Sequence, residues 1–184
     1  MATDRAILLR DAGRGVPAGL IGATFQVVAG WLLAKVLLPE GQDNNIAPRL
    51  VQRTLATLGR PEQPVRDWLL GSLFHFGYGA GWGIALARGR TLARLPGVLV
   101  AFPISLMIYL VAFSRVGAGT ILQVEEHPTQ RPMGKKGALL GVVVAYTLST
   151  GLLLDRLGRR DEGVTVRPIR HDDAQEAAGP DRWF

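Results

Sequence analysis

The chain has 184 residues, of which 48% are hydrophobic, with a formal net charge of +6 and no cysteine; its mean hydropathy is +0.19 and its pI about 10.5. The lack of cysteine excludes disulfides, thiolate metal sites and a cysteine nucleophile. The charges lie between long apolar runs, as in a membrane protein, and a nucleic-acid-binding reading of the basic pI fails because no basic helix stands free of those runs and no aromatic stacking platform is present.

Residues 1–14 carry Arg5, Arg10 and Arg14 around Ile7, Leu8 and Leu9, and they read as a short cytoplasmic tail at the membrane interface. The apolar run at 15–38 is too long for a signal peptide, and no small-x-small cleavage pattern follows it; a retained first span is expected. Gly15, Gly19 and Gly22 let a neighbouring backbone come close. Gln26 falls near mid-span, Lys35 can snorkel from the far end, and Pro39 stops the helix. In the polar connection at 40–67, the stretch NIAPRLVQRTLATLG places Leu50, Val51, Leu55 and Leu58 on one side. It predicts a short amphipathic helix on the outer membrane surface, with Asn45 as its cap and Gly59 as its stop.

The second span is expected at 68–87, WLLGSLFHFGYGAGWGIALA. Gly77, Gly79, Gly81 and Gly83 form two GxxxG pairs on different sides, which predicts close packing on both sides and a central place in the bundle. A phosphate-loop reading fails, since no strand precedes these glycines. RGRTLAR at 88–94 reads as a tight loop. Its Arg88, Arg90 and Arg94, with Arg156, Arg159 and Arg160, set topology or hold anionic lipid headgroups. The third span is expected at 95–114, starting at Pro96 and kinked at Pro103. After the connection at 115–136, the fourth span falls at 137–154, where Gly137, Gly141 and Ala145 make a small-residue row. Residues 157–184 read as a polar, disordered tail, although GVTVRPI at 163–169 alternates like a strand.

The flanks of this arrangement fix its orientation. The two tails and the 88–94 loop carry twelve Arg and Lys residues, against eight in the two longer connections. Both termini are therefore expected in the cytoplasm of a bacterium, with the bundle in its inner membrane. In that placement Gln26, His75, Ser105, Tyr109, Tyr146 and Thr147 share a depth. They can hydrogen-bond one another and pin the helix register, each worth about 0.6–2 kcal/mol. The alternative is a proton relay centred on His75, and the register pin is the preferred reading. Glu125, Glu126 and His127 are consecutive and cannot all face one ion, and His171, Asp172 and Asp173 are expected across the membrane, so no metal site is expected. No nucleophile–base pair or paired carboxylate stands out, so no catalytic residue or cofactor is expected either.

GLIGATFQVVAGW at 19–31, APRLVQRTLATLG at 47–59 and LFHFGYGAGWG at 73–83 resemble the YagU-like family of small four-span bacterial inner-membrane proteins. The resemblance covers the first half of the chain; EEHPTQRPMGKK at 125–136 has no counterpart in it. It implies the four-span topology and a role in the envelope or in acid tolerance. The sequence thus predicts an all-α integral membrane four-helix bundle with a surface helix between spans one and two, acting by association as a homo-oligomer or as a subunit of a larger complex, with membrane lipids as its surroundings. A small transporter is the alternative, and a lipid-acting enzyme is disfavoured.

Overall fold

The computed structural model describes residues 2–39 and 46–162. They form the helices α1 (Ala2–Leu37), α2 (Ile46–Thr57), α3 (Pro64–Ala93), α4 (Gly97–Phe113), α5 (Ala118–Ile121) and α6 (Met133–Glu162), and no strand occurs among the described residues. The fold is all-α. Asn45, the strand-like segment at 163–169 and the cluster at 171–173 lie outside the described residues.

Asp4–Leu37, Gly97–Ile121 and Met133–Arg159 are long and apolar enough to cross a membrane. The span expected at 68–87 is not among them. Its helix has 30 residues, but His75, the polar-edged rings of Trp68, Tyr78 and Trp82, and five glycines at 68–87 dilute its hydropathy.

Three expected boundaries shift. Residues 2–14 are not a separate tail, because α1 runs unbroken from Ala2 for 36 residues, about 54 Å at 1.5 Å per residue. The segment at 88–94 is not a loop: α3 runs on to Ala93, and Arg94 ends it in the left-handed region at φ 55°. Helix α6 likewise continues past Leu154 to Glu162. Each extension carries polar residues that end the apolar run but continue the helical turns. The surface helix expected after Asn45 is α2, and Gly59 follows it at φ 68°, as a C-terminal stop requires.

The helices pack in the lateral order α3, α1, α6, α4, with α2 against α3. The centre is therefore α1 and α6, not α3 as the alternate glycines at 77, 79, 81 and 83 suggest. Of those four, only Gly79 and Gly83 meet a neighbour. A Cβ on Gly79 would lie 2.8 Å from the Ala23 Cβ, and one on Gly83 would strike the Gly15 carbonyl; Gly77 and Gly81 have nothing within 4 Å. The seam is antiparallel and steps by four residues. Gly15 faces Gly83, Gly19 faces Gly79 and Ala23 faces His75. Four-residue spacing on both helices keeps one narrow ridge in register, so the two backbones come together without side chains between them.

Helix α6 meets its neighbours in the same manner. Gly22 of α1 sits against Thr150 and Tyr146, Gly141 against Leu33, and Gly97 of α4 against Gly151. Gly137 makes only ordinary contact with Leu37, at 3.7 Å. Ala23, Leu139, Val142, Val143 and Tyr146 fill the core on one side of mid-bundle. Ala18, Leu86, Ala101 and Leu154 fill it towards the α3–α4 turn.

That turn is tied by two carboxylates. Asp11, 2% exposed, accepts from Arg88 Nη1 at 3.4 Å and from Thr91 Oγ1 at 2.9 Å. Asp155 accepts from Arg90 Nε at 2.9 Å and from the Gly97 and Val98 amides at 2.7 and 3.3 Å. Of the three arginines expected at lipid headgroups, Arg88 and Arg90 bind carboxylates of the bundle, and Arg94 is exposed. Asp11→Ala would strand Arg88 and Thr91 beside a buried gap. A loss of about 1–3 kcal/mol is expected, readable as a shifted unfolding midpoint in mixed micelles, with Asp11→Asn intermediate.

Candidate binding cavity

Near the turn that joins α3 and α4, a Cβ on Gly89 would lie 2.9 Å from Val100 Cγ1. Helix α2 then docks on α3, its Pro48 Cα 2.8 Å from where a Cβ on Gly71 would stand. A cavity of about 1070 Å³ remains between α1, α2, α3 and the α4–α5 corner. Its wall is mostly apolar and rich in aromatic rings: Trp31, Trp68, Phe74, Phe76, Tyr78 and Phe113. Phe74 stacks on Tyr78 with centroids 5.7 Å apart. The polar side chains on the wall are Gln26, Ser72 and His75, with Lys35 as its one ionised group among the described residues.

His75 is held by the α1–α3 seam. Its Nε2 lies 3.2 Å from the Ala23 carbonyl. A carbonyl only accepts, so Nε2 carries a proton, and in the neutral ring form Nδ1 is an acceptor. Gln26 follows Ala23 by three residues, about 4.5 Å further along α1. Its amide makes no hydrogen bond with another described residue. Lys35 lies over the Trp31 ring, 3.7 Å from the centroid.

The six polar residues expected at one depth do not form one cluster. Gln26 and His75 share the cavity. Tyr146 donates its hydroxyl proton to the Gly79 carbonyl and so ties α6 to α3. Ser105 and Thr147 pair within the α4–α6 seam, with the carbonyls of Ala101 and Val143 as further acceptors at 2.8 and 3.1 Å. Tyr109 packs on Phe113 at 5.6 Å between centroids. Equal depth says nothing about angular position around each helix, and the angular positions of 105 and 147 turn them away from α3.

Inward of His75 the bundle is closed. Gly19 meets Gly79, Gly15 meets Gly83, and Leu86 and Leu154 are buried. Elsewhere, Glu125 is held 3.1 Å from Lys135, while His127 Nδ1 lies 2.8 Å from Thr129 Oγ1, so the two turn to different partners. Among the described residues no group of three His, Asp or Glu side chains is placed to hold a metal. Buried Arg131 donates to the carbonyls of Phe113 and Glu126 and to Thr120, closing the corner after α4.

Sequence reasoning missed these ion pairs. One signal was available: Asp11 stands four residues before Gly15, on the same ridge as Gly19 and Ala23. Fold and cavity together define an all-α protein with several helices fit for a membrane. No protein-family model, no curated protein and no solved structure matches the chain.

Proposed function

We propose that the chain is a non-enzymatic four-span protein of the bacterial inner membrane, with both termini cytoplasmic, that acts by association through the outward face of α3. Treating α3 as the fourth span is supported by its length of about 45 Å against a hydrocarbon core of about 30 Å. It is supported also by the confinement of its charges to the two ends, at Arg66 and Asp67 and at Arg88 and Arg90. Kinship with the YagU-like family belongs to the same proposal and adds the topology only.

The observation that carries the reading is the open pair Gly77 and Gly81. Both are exposed, opposite the α1 seam, and flanked by exposed Leu70, Leu73 and Phe74. In a bilayer such a notch is filled by lipid or by another helix, and the GxxxG spacing allows a second α3 to cross closely. The occupant we favour is a second copy, because the notch lies on a single face and is self-complementary about a two-fold axis.

A proton-linked channel centred on His75 would need a polar route inward from that residue. Tight glycine packing and Leu86 and Leu154 occupy that path, which favours association. The chain has no native cysteine, so Gly77→Cys and Gly81→Cys report directly. Oxidation in native membranes should give disulfide-linked dimers for these variants and none for Leu152→Cys, on an exposed face of α6. A cross-link to a different protein would make the chain a subunit of a larger complex. Failure of both glycine positions to cross-link to anything would remove the reading.

A further inference from the structure

The cavity beside His75 excludes Gly77 and Gly81 and meets the α3 notch only at Phe74, so its occupant is a separate question from whether α3 pairs. The inference uses only the placement of the bundle in a bilayer. We propose that the cavity binds a neutral membrane amphiphile with a flat ring and ring oxygens that hydrogen-bond, the chemistry of the isoprenoid quinones.

Depth is the first argument. Gln26 and Lys35 lie nine residues apart on α1, about 13 Å, or close to half of a ~30 Å hydrocarbon core. The cavity therefore reaches from the interface to near mid-bilayer, and its deep end is the polar one. Charge is the second. The deep end holds an imidazole and a neutral amide, and the one lysine of the wall, Lys35, stands at the other end. A carboxylate or phosphate placed at Gln26 would meet no lysine or arginine there, and an unpaired charge in that setting is costly. A neutral head meets no such penalty.

The third argument is the pattern of donors and acceptors. His75 gives its Nε2 proton to Ala23, and in the neutral ring form Nδ1 is an acceptor. Gln26 offers two donors and an acceptor with no described partner. A ring carbonyl accepts from Gln26; a ring hydroxyl donates to His75 or to the Gln26 oxygen. A saturated acyl chain would instead leave its methyl end against an unsatisfied amide. Shape agrees with the ring. Trp31, Trp68, Phe76 and Tyr78 supply flat apolar walls for stacking. The volume of about 1070 Å³ stands at the upper end of small-molecule pockets, roughly 300–1,000 Å³, so a ring leaves space for part of a prenyl tail.

The test uses the full chain in detergent micelles, titrated with decyl-ubiquinone and followed by quenching of tryptophan emission, since Trp31 and Trp68 line the cavity. The expected result is saturable quenching. Its half-saturation point should rise at least tenfold in Gln26→Leu and in His75→Leu, and should move less than twofold in Ser105→Ala, whose hydroxyl lies in the α4–α6 seam. His75→Leu also cuts the link to Ala23, so Gln26→Leu, which breaks no described hydrogen bond, is the deciding variant; circular dichroism and gel filtration establish its fold. Quenching that is linear in quinone, or identical in Gln26→Leu and wild type, overturns the assignment. So does displacement of the quinone by an equal concentration of palmitate or of a palmitoyl phospholipid, which would make the site one for acyl chains.

Discussion

Gly83→Val is expected to break the α1–α3 seam, while Gly81→Val, two residues away on the same helix, is expected to leave the protomer as stable as before. The contrast follows from what a side chain would meet. At Gly83 the first atoms are the Gly15 carbonyl and, at 2.7 Å, the Gly19 Cα. These are backbone atoms of a continuous helix and cannot swing aside as a side-chain tip can. Overpacking ordinarily costs about 1–3 kcal/mol, and with rigid backbone on both sides the upper end applies, so a loss of about 3 kcal/mol is expected. At Gly81 there is nothing within 4 Å, and a surface change of this kind stays within about 0.5 kcal/mol. Unfolding in mixed micelles reads both values. If Gly81→Val also abolishes the cross-link formed from Gly77→Cys, one substitution separates association from folding.

Asp155→Ala should cost nearly as much for a different reason. Its carboxylate accepts two amides at the start of α4 as well as the Arg90 guanidinium. Three helices thus meet on one side chain. A carboxylate at a helix N-terminus is favoured by the macrodipole and caps amides that have no partner in the helix. Charged hydrogen bonds are worth about 1.5–3 kcal/mol, and Arg90 and Asp155 remain partly exposed, at 26% and 14%, which tempers the ion-pair share. The expected loss is about 2–3 kcal/mol for Asp155→Ala and about 1 kcal/mol for Arg90→Ala, because the cap survives the second change. The double variant should lose less than the sum of the two, since they share a contact. Strict additivity would show that the pair contributes nothing as a pair.

These two residues show where the sequence is readable. Helices α1, α4 and α6 stand out as apolar runs because burial in hydrocarbon demands an uninterrupted stretch, and α2 stands out by its one-sided leucines. Helix α3 is harder to read. Its glycines serve close packing, and close packing lowers hydropathy, so the feature that fits it to α1 also dilutes its membrane signal. Which glycine pair is used depends on helix phase, and four alternate glycines offer two equivalent choices. Gly79 and Gly83 are selected because Gly15 and Gly19 on α1 have the same four-residue step, a match that exists only between helices.

The candidate site was legible as a set of polar positions at one depth, and Gln26 and His75 do share a cavity. Ser105 and Thr147 go elsewhere because depth along a helix and direction around it are independent coordinates. The arginines at 88 and 90 read as a basic loop because their acids are far away in the chain. Asp11 and Asp155 stand 77 and 65 residues from their partners, and only the four-residue step from Asp11 to Gly15 marks the first of them locally.

In the proposed topology α3 crosses the bilayer antiparallel to α1, with its start outside and its end in the cytoplasm. The cysteine-free chain makes this directly measurable with single cysteines at Glu62, just before α3, and at Ala93, its last residue, both exposed. In spheroplasts of a bacterial host, a membrane-impermeant maleimide should label Glu62→Cys on intact cells and Ala93→Cys only after permeabilisation. Labelling of both from the same side would contradict the account.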